Sequence, residues 1–138
     1  MTSSELLADA FGRIRATVHE ALRGLTPEQL AVRLDADANS IAWLVWHLTR
    51  IQDDHIAAVA DVASVTVASG DLLVGYYDAV HEQTIRFVER LTDPDLDRIV
   101  DEAWDPPVTL GVRLVSVIND NDQHAGQAAF VHGIVLRR

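Results

Sequence analysis

Apolar residues recur three and four positions apart through four long stretches of this chain, while strict alternation is almost absent. A backbone with that period forms helices that each carry one apolar stripe, and the economical way to hide four stripes is against one another. The first stretch runs from about Ser4 to Arg23, with Leu7, Ala10, Ile14, Val18, Ala21 and Leu25 on one side. Thr2 or Ser3 can cap it, and Gly24 stops it. Thr26-Pro27-Glu28 predicts a short helix next, a capping hydroxyl followed by proline at the first helical position. The second main helix begins after Asn39-Ser40 and runs to about Ala60. Asp61 to Gly70 reads as a connection, because Val65 and Val67 alternating with Thr66 and Ala68 are too few for a strand.

Asp71 can cap a third main helix to about Leu91, with Leu73, Tyr77, Val80, Thr84, Phe87 and Leu91 on one side. Thr92 to Pro107 is a long connection, since Asp93-Pro94 and Asp105-Pro106-Pro107 forbid continuous helix. Thr109 then opens the fourth main helix, which runs to about Leu136. The fold class is therefore all-α. The expected architecture is a four-helix bundle in one domain over residues 1–138, with long connections between the first and second and between the third and fourth main helices.

Composition narrows the function. Hydrophobic residues make up 49% of the 138, too many for a disordered chain. Charges nevertheless interrupt every apolar stretch before the roughly 18 residues that a membrane span needs. No basic segment followed by an apolar block opens the chain, so a cytoplasmic location is the default expectation. There is no cysteine, which excludes disulfides, thiolate ligands and a cysteine nucleophile. The net charge of −10 repels phosphate backbones and anionic lipid, so neither nucleic acid nor membrane is an expected partner.

Two helices break the apolar pattern. In the fourth, Leu114, Val117, Asp120, His124, Ala128, Val131 and Val135 fall on one face, and Asp120 and His124 do not suit a dry core. Four residues apart, they stand one turn above each other. In the second, Trp43-Leu44-Val45-Trp46-His47-Leu48 is apolar apart from His47, which Leu44 and Ile51 place on an inward face. An ionised carboxylate in such a place needs a partner or a metal. Two histidines and one carboxylate suit Zn, Ni, Fe or Mn and leave positions open for water or substrate. The other reading is structural: an Asp–His pair can satisfy itself, and a core histidine can be hydrogen-bonded.

At these residues the chain resembles the DinB-like superfamily. Ser40 to Leu48 is similar to that family's second helix, which carries its first metal-ligating histidine. Asp120-Asn121-Asp122-Gln123-His124-Ala125-Gly126-Gln127 resembles its last helix, where two ligands four apart end in His-x-Gly-Gln. The resemblance implies a divalent metal, zinc or nickel first, held by His47, Asp120 and His124. Most of the family has histidine where this chain has Asp120, and a carboxylate there resembles the mycothiol-dependent maleylpyruvate isomerase branch. It also implies metal-dependent S-transfer or isomerisation with a small-molecule thiol and an electrophilic substrate. The thiol would have to arrive from outside, since the chain has no cysteine. No catalytic residue is assigned beyond the ligands.

Asp54, His55 and Trp104 are the remaining pocket candidates, and Asp53 is expected at the surface. Asp54 lies seven residues beyond His47, nearly the same direction but about 10 Å along the axis. Trp104 either walls a pocket or plugs the bundle end. His19, His81 and His132 are not expected to be ligands. The competing function is a non-catalytic, stress-associated helical binding protein that forms a homodimer, since Tyr76, Tyr77 and Phe87 cannot all face one small core.

Overall fold

A computed structural model describes residues 1–64 and 72–138. The readings made on Val65, Thr66, Val67, Ala68, Gly70 and Asp71 lie outside the described residues. The others run α1 (Ser3–Leu22), α2 (Pro27–Leu30), α3 (Ile41–Ala60), α4 (Leu72–Val88), a 3-10 turn (Asp93–Asp97), β1 (Ile99–Asp101), β2 (Val108–Thr109) and α5 (Leu110–Val135). Among the described residues the molecule is all-α apart from two short strands.

Side-chain caps fix where the helices start. Thr2 Oγ1 accepts from the Glu5 amide at 3.2 Å, and Glu5 Oε2 accepts in return from the Thr2 amide at 2.7 Å. Ser40 and Thr109 accept from the Trp43 and Val112 amides, each at 3.2 Å, at the heads of α3 and α5. Gly24 ends the α1 region at φ +70°, a left-handed conformation that costs glycine nothing. The third main helix stops at Val88 rather than Leu91. Its last turn tightens there, as the Arg90 and Leu91 amides reach back only three residues, to Phe87 and Val88.

The connection after α4 holds more order than its prolines suggest. β1 and β2 pair antiparallel, with Ile99 opposite Thr109 and Asp101 opposite Val108. Strands of three and two residues are too short to show a period of two in sequence.

α5 packs against α1 and α3, and α4 packs against the same two helices from the other side. Phe11, Ile14, Leu44, Leu48, Tyr77, Leu110 and Leu114 lie at or below 2% exposure in the centre. Each of the purely apolar side chains among them contributes roughly 1.5–3 kcal/mol by leaving water. Tyr77 is buried, whereas Tyr76 and Phe87 are half-buried.

A polar layer crosses this core. Asn121 Nδ2 donates to Gln52 Oε1 at 2.6 Å, Gln52 Nε2 donates to Thr84 Oγ1 at 2.8 Å, and Thr84 donates to the Val80 carbonyl. All three side chains are buried, and they link α5, α3 and α4. Beside them Asp53 is fully buried, which corrects its expected place at the surface. Tyr76 donates to its Oδ2 at 2.8 Å, and Arg50 lies 3.6 Å from the same oxygen. The carboxylate is tolerated because it is paired. Among the described residues, no helix is long and apolar enough to cross a membrane.

Candidate metal centre

The buried stripe of α5 runs Leu110, Leu114, Val117, Asn121, Ala125, Ala128, Val131 and Val135. Asn121 and Ala125 occupy the core positions that the sequence reading gave to Asp120 and His124. One residue is 100° of rotation, so Asp120 and His124 sit on the shoulder of the stripe rather than in it. His47 is placed likewise on α3, half-buried beside the core residues Leu44 and Leu48. The three side chains thus meet along the seam between α3 and α5, within reach of solvent.

One ligand-type atom from each of His47, Asp120 and His124 lies within 4.8 Å of the other two. His124 Nδ1 donates to the Asp120 carbonyl at 2.7 Å, the carbonyl one turn back. That bond puts the proton on Nδ1 and leaves the Nε2 lone pair of a neutral ring unprotonated. The His47 ring stacks on Trp43, with centroids 4.6 Å apart and planes 7° from parallel. It lies 4.7 Å from the His124 ring, tilted by 59°. Both imidazoles are therefore held, one by a carbonyl and one by an indole face.

Asp120 favours the metal reading of the cluster over the structural one. Its Oδ2 is buried and, among the described residues, has no hydrogen-bond partner. The nearest imidazole nitrogen, His124 Nδ1, is 3.5 Å away with its proton already given to the Asp120 carbonyl. The Asp–His pair does not satisfy itself. A buried carboxylate oxygen without a donor is costly, and a cation among two imidazoles and that oxygen removes the cost. The donor set of two nitrogens and one oxygen fits a divalent metal ion.

Asp54 and His55 lie two turns along α3 and line a different cavity of about 420 Å³, with Ala58, Val59, Arg98, Ile99, Val100 and Arg113. Asp54 is exposed and pairs with Arg50 Nη2 at 2.6 Å, and His55 Nδ1 donates to the Ile51 carbonyl at 2.8 Å. Trp104, in the β1–β2 turn, is 66% exposed and does not border that cavity. His132 donates to the Arg23 carbonyl at 2.9 Å, tying α5 to the end of α1. His19 Nε2 lies 2.7 Å from Asp78, and His81 stacks near Tyr77. Burial, then the positive charge of Arg15, holds His81 below its ordinary range, with Asp78 opposing.

Arg98 and Arg113 were absent from the sequence reading. Arg113 had a signal: it stands seven residues before Asp120 on α5 and shares its direction. Arg98 had none, since its place depends on the turn before β1.

The chain belongs to the DinB superfamily, whose family model matches residues 10–128. Over its full length it is also similar to a conserved protein from Enterococcus faecalis of known crystal structure. The two share 24% identity with a TM-score of 0.87, covering 100% of this chain and 99% of that one. At that identity the likeness speaks for the fold alone. No curated protein matches the chain.

Proposed function

We propose that this DinB-superfamily protein is a metal-dependent enzyme that uses an external low-molecular-weight thiol, a mycothiol-type S-transferase or isomerase, with His47, Asp120 and His124 holding the metal. The observation that carries the reading is the buried, unpartnered Oδ2 of Asp120 beside two oriented imidazoles. A bound zinc or nickel ion would supply Lewis acidity that favours the thiolate form of an incoming thiol at neutral pH.

The chain's own groups prepare the place. Trp43 holds the His47 ring plane, and the Asp120 carbonyl fixes the His124 tautomer. Three protein ligands leave positions open, as a catalytic site requires. The seam continues to a second cavity of about 510 Å³, lined by Asp37, Asn39, Leu44, Gln127 and Phe130 among others. Leu44 lies three residues before His47, and Gln127 three after His124. The cavity therefore gives a thiol's body amide and apolar surface beside the ligands.

Cobalt substitution tests this reading. Adding a small thiol to the Co²⁺ protein is expected to produce a sulfur-to-cobalt charge-transfer band, absent in His124→Ala. A Co²⁺ spectrum indifferent to thiol would contradict the thiol chemistry.

Exposed apolar side chains favour a second reading, a non-catalytic homodimer. Trp46 is 49% exposed, Val115 60% and Phe130 68%. A pairing of two copies would bury some of these side chains. Light scattering that gives a monomer mass at all concentrations would remove it.

A further inference from the structure

The cavity bounded by Arg98 and Arg113 is not used by the metal chemistry above. Its lining is mixed: Ala58 and Val59 of α3 and Ile99 and Val100 of β1 give apolar surface, beside Asp54, His55 and two guanidiniums. In a chain of net charge −10, two arginines at one concavity need a reason. Part of the reason is structural. Arg98 Nη2 donates to the Val59 carbonyl at 3.0 Å, closing the end of α3, and Arg113 Nη2 donates to Asp101 at 3.0 Å. A guanidinium has five N–H donors, so each keeps most of them.

The charge balance leaves a surplus. Asp54, the carboxylate lining the cavity, is taken by Arg50 at 2.6 Å. Asp101 neutralises Arg113. Arg98 bonds a neutral carbonyl and, among the described residues, has no carboxylate within ion-pair distance, although Asp95 feels its charge. His55 adds no negative charge and has its Nδ1 proton on the Ile51 carbonyl.

We infer that this cavity binds the carboxylate of an organic anion with a small apolar body, Arg98 supplying the unbalanced charge, Arg113 further N–H donors, and Val59, Ile99 and Val100 the surface for the body. Guanidinium recognises carboxylate through paired, charge-assisted N–H donors, and the apolar part of the lining favours a carbon skeleton over a bare inorganic ion. The cavity lies in the same α3–α5 seam as the metal cluster. Arg113 precedes Asp120 by seven residues, about 10 Å along α5. An anion of moderate length anchored here brings its other end to His47, Asp120 and His124. That last step rests on the proposed metal chemistry; the anion site does not.

The test is an amide-resolved NMR titration of metal-free and Zn²⁺-supplemented protein with phenylacetate, and with phenylacetamide as its neutral isostere. Phenylacetate is expected to shift the Val59, Ile99, Val100 and Arg113 signals saturably in both samples, and phenylacetamide to bind roughly tenfold more weakly. Arg98→Gln should weaken phenylacetate by a similar factor, and Arg98→Lys should recover part of it. If Arg98→Gln does not fold, the acid-to-amide ratio on the parent chain decides alone. Equal binding of acid and amide, or no saturable shift at these residues, would overturn the inference. Anion binding in a chain that holds no zinc would defeat the metal reading only; zinc held without anion binding would defeat this one only.

Discussion

Asp120 is the residue on which the proposed function turns, because its Oδ2 is buried and, among the described residues, without a donor. Asp120→Asn keeps the shape but replaces a charged ligand by a poor one, and zinc affinity should fall while the fold holds. Trp43 touches no metal in this account and acts only by stacking on His47. Removing such an orienting contact is expected to weaken metal binding by about 10–100-fold, since orienting partners commonly cost that much. Competition of Trp43→Ala and Trp43→Phe against a zinc chelator reads the loss, with Phe expected to recover part of it. Equal affinity in parent and Trp43→Ala would show that the stack is incidental. His81 offers a separate pH prediction. Burial holds its folded-state pKa below the ordinary 6.5. Unfolded chains therefore bind more protons between that lowered value and 6.5, so stability falls as pH drops through this window. Urea midpoints of His81→Gln should show a flatter acid limb, and an unchanged limb would place the titration elsewhere.

At the scale of elements, the polar layer joining α5, α3 and α4 is the feature most exposed to mutation. Asn121→Leu leaves Gln52 Oε1 buried without its donor at 2.6 Å, and the expected cost is about 1–3 kcal/mol by urea unfolding. A neutral result would mean the layer contributes nothing net. The helices were legible in sequence because their signals are local: apolar spacing, Thr2, Ser40 and Thr109 as caps, Gly24 as a stop. The polar layer was not. Gln52, Thr84 and Asn121 are unremarkable on their own helices and become partners only when three helices meet. The metal cluster fell between these cases. Spacing placed Asp120 and His124 on one turn, but only tertiary packing decided that Asn121 and Ala125 face the core. The same packing moved the cluster from the interior to the seam. Asp53 was misread for a related reason: Arg50 is on its own helix, but Tyr76, which donates to it, comes from α4.

At the scale of the whole molecule, the α3–α5 seam puts three things in line: a cavity at Gln127 and Phe130, the His47–Asp120–His124 cluster, and the arginine-lined cavity. α3 and α5 pack closely along this seam, with α1 and α4 closing the far side of the core. Superfamily membership fixes the fold, and a single fold hosts many reactions, so the function must be tested at the site. The most direct measurement is metal content of tag-free protein supplied with zinc or nickel and then desalted, beside a folded His124→Ala variant. A metal centre at His47, Asp120 and His124 predicts about one metal per chain in the parent and essentially none in the variant. No retained metal in the parent, or equal metal in both, would contradict it.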